Sequence, residues 1–205
     1  MIDYVNEIEF AVHGLIPILW SERNRLRALE SKIEGLSAAV RANYEAAESI
    51  AMNAEDADDV MLATGRYWEN YFGDDKELYA QDEERKKLVD EVAAHALSIG
   101  AVAGSLLQYA KQGISLVHGS LASGPNGRLV GSQPLKSVIW QGRNQAIHWE
   151  EGHPHAATEQ SFETLKQDFG GRFNNYNTAN MSVEVVDVLG WRDFKTFRDD
   201  MMSMA

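Results

Sequence analysis

From Leu26 onward the apolar positions Leu29, Ile33, Leu36, Val40, Tyr44 and Ala47 recur at spacings of three and four, with Arg, Lys and Glu between them. That period is helical, and it predicts one long amphipathic helix. Gly14 and Pro17 are expected to break whatever helix precedes it, with Ser21 as its N-cap. A second helix is expected over Asp56 to Phe72. It carries Val60, Met61, Tyr67, Trp68, Tyr71 and Phe72 on one side and stops at Gly73-Asp74-Asp75. The longest run, Lys76 to His118, is apolar at Leu88, Val92, Ala96, Ile99, Ala103, Leu106, Ala110 and Ile114, and reads as the central helix.

The Gly-, Ser- and Asn-containing stretch from Gly119 to Ser132 is expected to be a loop. It lacks the Gly-Lys-Ser/Thr ending of a phosphate-binding loop. Ser132 should cap the next helix, with Pro134 in its first turn and Trp149 near its end. A further helix is expected from Thr158 to Phe169, closed by Gly170-Gly171. SVEVVDVLGW, residues 182 to 191, is the one stretch of strand-like composition, and a short helix from Trp191 to Met202 ends the chain. With four prolines and few β-branched runs before the last quarter, the expected class is all-α: a helical bundle with long antiparallel helices. At 205 residues and 44% hydrophobic, one domain is the default.

Composition narrows the chemistry. There is no cysteine, so thiolate nucleophiles, disulfides and Cys-based zinc sites are excluded. The N-terminus, MIDYVNEIEF, carries acids where a secretory leader would carry bases, so a cytoplasmic protein is expected. The most apolar stretch, Ala93 to Leu107, is shorter than the roughly 20 residues of a membrane span and is expected to be a buried helix, with no membrane partner. The net charge of −12 is uneven: residues 1 to 100 hold 21 acids and 10 bases, residues 101 to 205 hold 10 and 9. The acidic excess between Glu45 and Glu91 is expected to be a solvated helix face.

Chemistry concentrates in RNQAIH, Arg143 to His148. A turn of about 100° per residue places Leu135, Val138, Ile139, Gly142, Ala146 and Trp149 on one buried face. Arg143 then falls at its edge, while Asn144 and His148 project together from the other side. Imidazole exchanges protons near neutrality, a guanidinium grips two phosphate oxygens at once, and a carboxamide can orient either. Arg143, Asn144 and His148 are the candidate catalytic residues.

An Arg, a polar residue after it, and a His with four residues between Arg and His, on a helix late in an all-α chain, resemble the motif of the HEPN superfamily. The resemblance is strongest over Gln133 to Trp149 and says almost nothing about residues 1 to 75. It implies a metal-independent endoribonuclease, of the kind associated with toxin-antitoxin or antiphage defence systems. Its substrate would be RNA, and it would work as a homodimer whose two motif helices form one composite site. It further implies a HEPN-like core over about 76 to 205, with residues 1 to 75 completing or extending the bundle, no cofactor, and an antitoxin or other regulatory protein as partner. Under it, Arg143 holds the phosphate, His148 moves a proton, Asn144 orients, and the products are a 2′,3′-cyclic phosphate and a 5′-hydroxyl. One departure is plain: many toxin members carry a Tyr two positions after the His, and here that residue is Glu150. Glu150 and Glu151 also make the segment more acidic than an RNA site calls for.

His153 and His155, close to His148 and these glutamates, raise a metal site as a question, although loop histidines flanking a proline are usually solvated. Trp149 is expected in the core, and Trp140 could stack on a base. The rival reading is a non-catalytic helical module that binds a protein or a nucleotide through the same polar surface.

Overall fold

The computed structural model describes residues 1–52 and 75–205, with positions 61 and 64 in addition. The helix expected over 56–72 lies outside the described residues, those two positions apart. The protein is an all-α helical bundle, with six helices and one minute two-stranded sheet among the described residues. In chain order these are α1 (Ile2–Met52), α2 (Asp75–His118), β1 (Leu129–Val130), β2 (Gln133–Pro134), α3 (Leu135–His148), α4 (Ala156–Phe169), α5 (Ser182–Leu189) and α6 (Phe194–Met202). Two 3-10 turns, Trp149–Glu151 and Gly170–Phe173, follow α3 and α4.

Two compact units make up the chain. One comprises Met1–Arg23 with Leu97–Ala205, the other Asn24–Ala96. In the second unit Arg25 pairs with Glu91 at 3.0 Å and Leu88 is buried.

In the first unit, α1 begins earlier than expected and continues through Gly14 and Pro17 without a break. Ser21 caps nothing because it lies mid-helix. The reason is a stripe of Val5, Ile8, Val12, Ile16 and Leu19, spaced three and four apart and all buried. Burying five such side chains gains roughly 1.5–3 kcal/mol each, which outweighs the roughly 3 kcal/mol cost of a helical proline. Tyr4, in the first turn, donates its hydroxyl hydrogen to the carbonyl of Tyr109 in α2 at 2.7 Å.

Helix α2 keeps the bounds that its pattern predicts to within a residue, and Ile99, Ala103, Leu106, Ala110 and Ile114 are buried while Ala96 is exposed. By length and composition, Lys86–His118 is apolar enough to cross a membrane, and only 28% of its most apolar window is buried. The expected buried helix is therefore buried along one face only.

The segment SVEVVDVLGW is not a strand. Ser182 to Leu189 form α5, because Ser182, Val185, Val186 and Leu189 fall at helical spacing and all four are buried. Tertiary packing outweighs the β preference of valine, which is a matter of tenths of a kcal/mol per residue. The Ser182 hydroxyl donates to the carbonyl of Gly100, tying α5 to α2. The strand pairing among the described residues begins instead in the expected loop, where Leu129 and Val130 face Pro134 and Gln133 antiparallel.

Candidate functional site

Helix α3 carries the motif, and its start differs from the expectation. Pro134 occupies the N-cap position without a side-chain cap, and Ser132 caps nothing. The backbone N–H and hydroxyl of Ser132 both donate to Asp168 Oδ2, at 2.7 and 2.9 Å. The helix start is served by the preceding loop: Leu135 N–H donates to the carbonyl of Arg128, and Lys136 N–H to that of Asn126. Backbone donors left free at a helix start need such acceptors, and here the loop before β1 supplies them.

The buried face of α3 is also rotated from the apolar reading. Leu135, Val138, Ile139 and Gly142 are buried as expected, but Gln141 and Gln145 are buried with them, whereas Ala146 and Trp149 are half-buried. Gly142 sits there because α5 comes close: a Cβ on it would lie 2.8 Å from Val185 Cγ1. Gln145 is 2% exposed and has a partner for each end of its amide. Its Nε2 donates to the carbonyls of Tyr176 and Ala179, and its Oε1 accepts from Met181 N–H at 2.9 Å. One side chain of the motif helix thus organises the loop from 174 to 181.

Around that frame the three candidate residues separate. Asn144 and His148 line one narrow cleft, together with Trp149, Glu151, His155 and Tyr176. Arg143 lines a neighbouring groove over α2, with Gly100, Gly104, Gln108 and Ile147. A side-chain bond joins the two sites, since Arg143 Nη1 donates to Asn144 Oδ1 at 3.3 Å. Arg143 Nε donates to Gln108 Oε1 at 2.6 Å, and Asn144 Nδ2 to Gln141 Oε1 at 3.4 Å, an acceptor shared with the Thr158 hydroxyl of α4. Gln108, Gln141, Gln145 and Thr158 were not singled out from the sequence. The signal for Gln141 and Gln145 was their place at i+3 and i+7 from Val138.

No family model, no curated protein and no solved structure matches this chain.

The free space in the cleft, about 10 Å³, is that of a single water molecule. A base cannot enter it in this conformation, so any ligand at His148 would lie across the mouth. His148 Nδ1 stands 2.7 Å from Glu151 Oε1. Tyr176 forms the floor, 3% exposed, where burial, and next its hydrogen bond to Glu163, push its hydroxyl above the ordinary phenol range. His148, His153 and His155 all border the cleft. Among the described residues, no three His, Asp or Glu side chains are gathered to hold a metal ion. Trp149 lines the cleft rather than the core, because its position is one turn beyond the buried stripe. Trp140 is half-buried, with Lys111 Nζ 4.5 Å from its ring centroid.

Proposed function

We propose that this chain is a HEPN-type, metal-independent endoribonuclease, acting as a homodimer in a toxin-antitoxin or antiphage defence setting. The observation that carries the reading is the join between the two sites: Arg143 is bonded to Asn144, which shares a cleft with His148. A cation for a phosphate, an orienting amide and a proton carrier thus stand in sequence along one helix.

A guanidinium has five N–H donors, and the bonds to Gln108 and Asn144 do not exhaust them. Those remaining can meet phosphate oxygens and stabilise charge as it grows on phosphorus substituents. Proton transfer by a placed imidazole contributes typically 100- to 10,000-fold in rate.

The test is incubation of purified protein with total RNA and with tRNA in EDTA, beside Arg143→Ala and His148→Ala. Cleavage by the wild type to cyclic-phosphate ends, lost in both variants, is expected; RNA left equally intact by all three overturns the reading. Solution mass tests the homodimer, and a strict monomer removes the composite site.

A second reading, a non-catalytic module that binds another macromolecule, is favoured by a different observation. Phe10 is 92% and Ile18 51% exposed, and both line a groove on α1 together with Leu15 and Tyr109. Contiguous exposed apolar surface of this kind commonly marks an interaction face.

A further inference from the structure

After α3 the chain tightens into the 3-10 turn Trp149–Glu151, which ends at Gly152 in the left-handed region, φ +70°. Only glycine takes that conformation without strain. The turn carries Glu151 back towards the residue three before it, so that Glu151 Oε1 lies 2.7 Å from His148 Nδ1. A carboxylate can only accept, so the hydrogen in this bond belongs to the ring. With Nδ1 carrying the hydrogen of a neutral imidazole, the lone pair is on Nε2.

We propose that Glu151 is a positioning residue for His148: it favours the Nδ1–H tautomer and thereby assigns Nε2 as the atom that accepts a proton from RNA. This rests on the ribonuclease reading above. In the step it serves, the 2′-hydroxyl hydrogen passes to Nε2 as O2′ bonds to phosphorus. The P–O5′ bond breaks, and the departing 5′-oxygen takes a proton from water. The imidazolium then releases its proton to solvent, restoring the ring. A ring in the opposite tautomer has a hydrogen on Nε2 and cannot begin this step.

The acidity of Glu151 therefore has a use. An uncommitted carboxylate beside an RNA site would repel the phosphates, whereas one bonded to His148 orients the proton acceptor. The pair is open to solvent, its side chains 43% and 54% exposed, so removing it should leave the fold intact. Exposure also bounds the effect: a bond of this kind biases the tautomers by a factor of about five.

Three proteins decide it: wild type, Glu151→Ala and Glu151→Gln, the last retaining an acceptor oxygen for Nδ1–H. The first readout needs no RNA. The ¹⁵N shifts of the His148 ring, recorded in alkaline buffer where imidazole is neutral, should show a larger Nδ1–H fraction in wild type and Glu151→Gln than in Glu151→Ala. The second is cleavage kinetics, where a fivefold change in the tautomer ratio alters the reactive fraction by about two- to threefold, so Glu151→Ala should lose about that much in kcat at unchanged KM and Glu151→Gln should stay near wild type. Identical ring shifts in wild type and Glu151→Ala overturn the proposal. So does faster cleavage by both variants, the mark of a carboxylate that merely repels RNA. The expected ring shifts in a wild type that cuts no RNA overturn the ribonuclease reading alone, leaving Glu151 as the group that orients His148.

Discussion

Replacing Gln145 by Met removes three hydrogen bonds while nearly keeping side-chain volume. The bonds lost are those to the carbonyls of Tyr176 and Ala179 and from the N–H of Met181, at 2.8, 2.7 and 2.9 Å. A typical internal hydrogen bond contributes about 1 kcal/mol net, so losing three costs about 3 kcal/mol. Were all three backbone groups to stay dry and unpaired, the cost would approach three times that. The bonds with Tyr176 and Met181 are buried and the one with Ala179 only partly so, which makes about 3 kcal/mol the least loss expected. Urea unfolding of wild type and Gln145→Met gives the difference. Amide exchange at Met181 gives its location, because that N–H loses its acceptor and should exchange faster. A loss below about 1 kcal/mol with unchanged exchange at Met181 would refute the claim that this side chain organises the loop bordering the cleft.

Gly142→Ala sets two effects against each other. Alanine favours helix over glycine by about 1 kcal/mol, but the new Cβ would meet Val185 Cγ1 at 2.8 Å and overpacking costs roughly 1–3 kcal/mol, so a net loss of about 1 kcal/mol is expected in thermal unfolding. A more stable variant would mean that α5 yields freely. Glu184 should make stability fall as pH rises. Burial first, against the pull of its own backbone hydrogen bond and of Arg23 and Arg172, raises its carboxyl above the ordinary 4.5, so the folded state holds the proton more tightly than the unfolded. The resulting penalty is absent below the unfolded value and complete above the raised folded one. Glu184→Gln should therefore resist urea better than wild type at pH 8, with the two converging below pH 4.5; a gap that widens on acidification would reverse the assigned cause.

Much of this architecture was legible because its helices bury apolar stripes at a single period. Lys76 to His118 was read to within a residue of α2, and the motif helix to within two. The errors share one origin, which is the weight given to local preference over long-range burial. Pro17 looked like a breaker because a proline costs its helix locally, while the stripe from Val5 to Leu19 that compensates is visible only as a buried face. The valines of α5 looked like a strand, yet their spacing also fits a helix packed on α3, and composition cannot choose between the two. Gln141 and Gln145 were missed because a pattern of apolar residues says nothing about polar side chains buried against distant partners, the Thr158 hydroxyl for Gln141 and the backbone of Tyr176, Ala179 and Met181 for Gln145. Glu151 was seen as unwelcome charge, since the turn that brings it to His148 depends on Gly152 and leaves no period to read.

Charge compensation bears on what Arg143 can do. Arg128 pairs with Asp200, Lys166 with Glu163 and Lys195 with Asp199, while Arg23, Arg172 and Arg192 all converge on Asp187. Lys111 lies over the Trp140 ring. Arg143 differs from these, because its hydrogen bonds among the described residues go to the neutral amides of Gln108 and Asn144. Amides hold a guanidinium in place without cancelling its charge, which leaves that charge to act on an incoming anion. In a chain of net charge −12 this separates two questions that a basic surface would merge. Broad electrostatic attraction, the usual source of nucleic-acid affinity, has little to draw on here. An RNA held at this site would be held by few phosphates, so its selection would have to come from the shape of the cleft mouth and from the second copy of the chain that the ribonuclease reading requires.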